Sequence, residues 1–126
     1  MILSIMNYDE ICNALLRANE TVRFVGVLGR NGDLVAGGHN PNVENLLAPD
    51  EVKMSLHYAA KRWETRRNMS HRVGNAKYSI TEYDKVKQIS IPLSDTELLL
   101  ISIDTKTDFK EFLDSVNKIL GKSYSL

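Results

Sequence analysis

Three histidines, one cysteine and the glycine-rich stretch VLGRNGDLVAGG at 27–38 are the parts of this 126-residue chain whose residue types could do chemistry. A Walker-type phosphate loop requires G-x-x-x-x-G-K-[ST], because the lysine reaches the phosphates and the hydroxyl holds magnesium. Gly29 and Gly32 are followed by no such pair, and the G-x-G-x-x-G spacing of dinucleotide loops is missing as well. Asn31-Gly32 between two apolar runs instead predicts a β-hairpin, with a type I′ turn whose central residues both take positive φ. Gly37-Gly38 then ends the second strand or admits a close backbone contact. His57 and His71 are fourteen positions apart with no cysteine or carboxylate at ligand spacing, so no metal site is expected. His39 falls in a loop beside Pro41, His57 on an outer helix face and His71 at a helix end, and no nucleophile pairs with any of them in the sequence pattern. Cys12 has no internal disulfide partner and reads as packing on a helix face. An enzyme is therefore the least supported class, and no cofactor is expected.

The elements that must position these residues follow from periodicity and caps. Asn7 with Glu10 fits a capping box, Met6 with Ile11 fits a hydrophobic staple, and Ile11, Ala14, Leu15 and Ala18 then repeat at helical spacing. TVRFVGVLG is too continuously apolar for a strand with one wet face, so both its faces should be covered. GGHNPNVENLLAP reads as a loop. Three strands follow, within AKYSITEY, KVKQISIPL and ELLLISI. The first is the most polar, with Tyr78 and Ile80 alternating against Lys77, Ser79 and Thr81, which suits an edge, and Pro92 must sit at a strand end or a bulge. DFKEFLDSVNKILG closes the chain as a helix with Asp108 and Glu111 as a second capping box and Gly121 as its C-cap glycine. Phe109, Phe112, Leu113, Val116 and Leu120 form its inner stripe.

The middle helix is the informative one. Pro49, Asp50 and Glu51 mark its start, where proline fits the first turn and carboxylates complement the dipole. At about 100° per residue, Val52, Leu56, Ala59, Ala60 and Trp63 share one stripe that packs on the sheet. Met54 and Tyr58 fall almost opposite, with His57, Lys61 and Thr65, and so point outward. Scattered surface hydrophobes are ordinary; a second contact face, for a partner or another copy, is the functional alternative. The segment also ends basic, with Arg62, Arg66, Arg67 and Arg72 against Glu64 as the only acid. Cations suit a helix C-terminus and an arginine there can stack on Trp63. An acidic protein partner is favoured over nucleic acid, for which interleaved aromatics or a recognisable motif are lacking.

Sixteen basic residues balance sixteen acidic ones, so the whole molecule does not recruit polyanions. MILSIM at the start lacks the cationic flank and length of a secretory signal, and no run reaches the roughly 20 apolar residues of a membrane span. A cytoplasmic protein without membrane association is expected, so the sequons at Asn19 and Asn68 carry no meaning. No repeat or linker divides the chain, and one domain over 1–126 is expected.

The order α-β-β-α-β-β-β-α predicts an α+β fold, a five-stranded antiparallel sheet with the middle helix on one face and the terminal helices on the other. This order resembles the Roadblock/LC7 fold, related to longin and profilin-like domains. VRFVGVLGRNGDLVAGG, LLAPDEVKMSLHYAAKRWETRR, KYSITEYDKVKQISIPL and LLLISID further resemble a family of short archaeal proteins common in ammonia-oxidising lineages. The resemblance adds no catalytic residue. It implies dimers formed through the middle helix and the neighbouring edge strand, and regulation of small GTPases or scaffolding of larger assemblies. Residue pattern and resemblance together give a non-enzymatic homodimeric module, its interface drawn from Met54, Tyr58, Lys61, Arg62, Thr65, Tyr78 and Ile80. A small-ligand sensor is the alternative, and nucleic-acid binding through the basic helix end is a weaker one.

Overall fold

The computed structural model describes residues 7–125. The first helix, α1 (Tyr8–Ala18), begins at Asn7, whose side chain accepts from the Glu10 N–H at 2.8 Å, while Glu10 reaches back to the Asn7 N–H. The capping box is thus formed; the Met6 half of the expected staple lies outside the described residues. Ile11, Cys12 and Leu15 are buried, but Ala18 is exposed because the helix ends there.

Two strands follow, β1 (Val22–Leu28) and β2 (Leu34–His39), paired antiparallel. Their hairpin is present, but its turn is not type I′. Asn31 has no positive φ; instead the Gly32 N–H donates to the Gly29 carbonyl at 3.0 Å and Gly32 alone turns left-handed, at φ 88°. A three-residue loop closed by a left-handed glycine leads out of the turn with the strand twist a two-residue loop would supply. The glycine also answers a steric demand: a Cβ there would come within 2.6 Å of His57 Cα, so the hairpin tip lies directly on the middle helix. Gly37 serves a similar purpose on the other side, where a Cβ would meet the Val25 carbonyl and Cys12 Sγ.

The long helix α2 (Pro49–Asn68) does not run on to Arg72 as one element. It stops at Met69, and a single further turn, α3 (Ser70–Val73), leads to Gly74 at φ 86°. Then come β3 (Ser79–Glu82), β4 (Val86–Pro92) and β5 (Leu98–Asp104), with Pro92 as the last residue of its strand. The final helix α4 (Phe109–Leu120) starts at Asp108, whose carboxylate accepts from the Lys110 N–H; the expected return bond from Glu111 is not made. Gly121 closes it in the left-handed region.

The sheet order is β2-β1-β5-β4-β3 and every pair is antiparallel. The fold is α+β as expected, with the apolar strands β1 and β5 central and covered on both faces. On one face, α1 and α4 pack Ile11, Leu15, Phe112 and Val116 against Val25, Ile89 and Ile101. On the other, α2 packs Leu56, Ala59 and Trp63 against Leu28, Leu98 and Leu100. Two buried layers explain why these strands read as unbroken apolar runs rather than alternation. At the edges, β3 is four residues long and largely polar, and β2 carries a register shift where Val35 bulges out; both features blunt an edge against indiscriminate pairing.

Candidate functional site

Pro49 opens α2, and Glu51 folds back to accept from the Ala48 N–H at 2.9 Å, so the helix has a firm start. Its inner stripe is as the 3.6-residue period requires, with Leu56, Ala59, Ala60 and Trp63 buried and Val52 half-buried. The same period forces the opposite side outward. Met54 is 58% exposed and Tyr58 53%, and His57, Lys61, Arg62 and Thr65 are exposed beside them. His57 is held from both sides, its ring edge-on to Tyr58 at 5.6 Å and Nδ1 3.2 Å from the Asn31 carbonyl, where it donates as Nδ1–H. Thr65 donates to the Lys61 carbonyl, and Lys61 lies 3.6 Å from Glu64 in an exposed pair of little energetic weight.

The arginines of the basic stretch do not form one free patch. Arg62 donates to Gln88 on β4 at 3.5 Å, Arg66 lies 5.5 Å over the Trp63 ring, and Arg67 donates to the Ser94 carbonyl of the β4–β5 turn at 3.0 Å. Arg62 and Arg67 therefore fasten the C-terminal half of α2 to β4 and the β4–β5 turn, while Arg66 stays on the helix over Trp63. Arg72 stands apart on α3, exposed.

The structure also separates residues that sequence reasoning grouped. Tyr78 packs at 5.5 Å on Tyr124 and 6.3 Å on Phe109, and its hydroxyl donates to the Ser125 carbonyl. Ile80 pairs with Ile89, a member of the α1/α4 core, so both side chains lie on the sheet face away from α2. They do not adjoin Met54 and Tyr58. What does adjoin them is Leu34, 45% exposed at the start of β2, across an open groove whose far bank is the hairpin tip Asn31–Asp33. Leu34 follows a turn as an apolar residue on an edge strand, which is the signal that could have marked it.

The histidines sit on different elements: His39 on β2 with Nε2 2.8 Å from the Val43 carbonyl, His57 on α2 and His71 on α3. Cys12 is buried, and its thiol is pushed up to about 11, chiefly by desolvation, with the Asp9 charge adding. Among the described residues, no three His, Cys, Asp or Glu side chains converge as a metal would require, and no helix is long and apolar enough to cross a membrane. The arrangement offers contact chemistry: an apolar pair on a rigid helix, ringed by cations and hydrogen-bonding groups.

A family of unknown function, DUF6659, matches residues 2–125. No curated protein matches the sequence. Among solved structures, the chain is similar to a Roadblock/LC7 domain from Streptomyces avermitilis, at 13% identity and a TM-score of 0.69, over 92% of this chain and 93% of that one. The gliding protein MglB from Thermus thermophilus is similar at 11% identity and a TM-score of 0.72, over 88% and 81%. A profilin from Schizosaccharomyces pombe follows at 12% identity and a TM-score of 0.59, over 91% and 94%. The Roadblock/LC7-like architecture that the element order resembles is therefore the fold of this chain.

Proposed function

The chain belongs to this family of unknown function, and we propose that it is a non-enzymatic regulatory or scaffold module, one domain over 1–126, that acts as a cytoplasmic homodimer through the outer face of α2. The observation that carries the reading is the exposure of Met54 and Tyr58 midway along the longest helix, with Leu34 beside them. Apolar residues clustered on a rigid element are what interface cores are made of, and aromatic and methionine side chains are enriched there. A two-fold contact would bring α2 against α2 of a second copy, so that each patch covers its mate. Lys61, Arg62 and Thr65 would then form the polar rim. β3 contributes through its backbone edge, since the side chains of Tyr78 and Ile80 face the other layer.

The regulatory half rests on the resemblance to Roadblock/LC7 proteins, which points to a small GTPase or another signalling protein as the partner. No cofactor enters this reading.

Static light scattering on the whole chain and on Tyr58→Arg tests the dimer. The wild type should have the mass of two chains and the variant that of one, with unchanged circular dichroism. An unchanged mass in a folded variant, or a single-chain mass in the wild type, would reject the interface.

A further inference from the structure

A cavity of about 310 Å³ lies between the N-terminal half of α2 and the sheet, away from Met54 and Tyr58. Its floor is Phe24, Leu100 and Ser102, with Val52, Ser55 and Leu56 of α2 as one wall. Leu46 and Leu47 of the loop before α2 and Tyr83 of the β3–β4 turn form the lip, each more than two-fifths exposed. The space opens to solvent past this lip and would hold about ten waters at liquid density. It falls at the lower end of the size range of small-molecule sites, about 300 to 1,000 Å³.

The cavity exists because the strands and helix do not close on each other here. Between Val22 and Phe24 the register of β1 against β5 shifts, leaving Arg23 as an extra residue. A bulge of this kind re-aims a side chain, and Arg23 lines the cavity, its guanidinium donating to the Glu44 carbonyl at 2.5 Å. That bond uses one of five N–H groups, and among the described residues no carboxylate pairs with Arg23. His39 also lines the cavity, its Nε2–H donating to the Val43 carbonyl, so its Nδ1 is left as an acceptor. No aspartate or glutamate lines the cavity.

We propose that this cavity binds a small organic carboxylate with an aromatic or branched apolar body, the body seated on Phe24, Leu56 and Leu100 and the carboxylate directed to the Arg23 guanidinium. The guanidinium fork matches a carboxylate in geometry and charge, and such charge-assisted bonds are about twice as strong as neutral ones. The apolar floor supplies the burial that a fully polar anion could not use. The site does not require self-association, so its failure would leave the dimer standing, and the reverse also holds.

The test uses isothermal titration calorimetry on the full chain with phenylacetate and indole-3-acetate, each against its neutral amide. At least one acid should bind about tenfold more tightly than its amide. Arg23→Gln should reduce that acid to the level of the amide, and Ser55→Phe, which fills the cavity from the helix side, should abolish binding of both. Absence of binding by both acids at millimolar concentration, equal binding of acid and amide, or full acid binding by folded Ser55→Phe would each overturn the proposal. Arg23→Gln remains decisive if Ser55→Phe does not fold: unchanged acid preference in it overturns the site.

Discussion

Cys12 and Tyr8 are the two side chains whose protonation the fold shifts most clearly, and both shifts run the same way. Burial raises the Cys12 thiol to about 11. The Tyr8 hydroxyl rises to about 12, first because it donates to Glu97 at 2.7 Å and then through burial and the carboxylate's charge. A raised folded value stabilises the protonated form, so these contributions are complete below about pH 9 and are lost as pH rises through about 11 and 12. The native thiol should therefore resist a thiol reagent at pH 8 and react fully only in denaturant; rapid native labelling would contradict its placement. Tyr8→Phe should lower stability in urea by about 1 kcal/mol near neutral pH, at the modest end because the pair is partly exposed. Part of the alkaline loss should go with it. Gly32 gives a third test at this scale. Gly32→Ala forces a Cβ into a left-handed position 2.6 Å from His57 Cα, and should cost at least about 1–2 kcal/mol in denaturant unfolding. Sequence showed that a glycine was needed in this turn. It did not show that the helix is what crowds it, because that contact joins residues far apart in the chain.

At the scale of the element, α2 was the most legible part of the molecule. A 3.6-residue period assigns an inner and an outer side without reference to anything else, and Trp63 and Tyr58 fell where the period puts them. Trp63 is the anchor of that packing, 2% exposed and covered by Arg66. Trp63→Ala should destabilise by about 3–5 kcal/mol in equilibrium unfolding, and a loss below about 1 kcal/mol would mean α2 is not held by its inner stripe. The strand period of two is less informative: alternation along AKYSITEY separates Tyr78 and Ile80 from their neighbours, yet cannot say which layer each set faces. Only the pairing of Ile80 with Ile89 decides that, and it sends both to the α1/α4 side. The hairpin shows the same limit. Asn-Gly marked the reversal correctly, while the turn type depended on where the Gly29–Gly32 bond closed. The bulge at Arg23 left no trace in the composition of its strand, so the cavity beside it was not legible at all.

For the whole molecule, layer order followed from counting elements and noting that β1 and β5 lack a wet face. Each sheet face needs a cover, and three long helices supply it: α1 and α4 on one side, α2 on the other. The asymmetry of that arrangement is what leaves α2 with an outer side of its own, whereas two helices share the opposite layer. Self-association through this side can be read from isotope-filtered nuclear Overhauser spectroscopy on a sample mixed from labelled and unlabelled chains. Intermolecular signals should arise from the Met54 methyl and the Tyr58 ring. Signals confined to the α1/α4 layer, or none between chains, would contradict it.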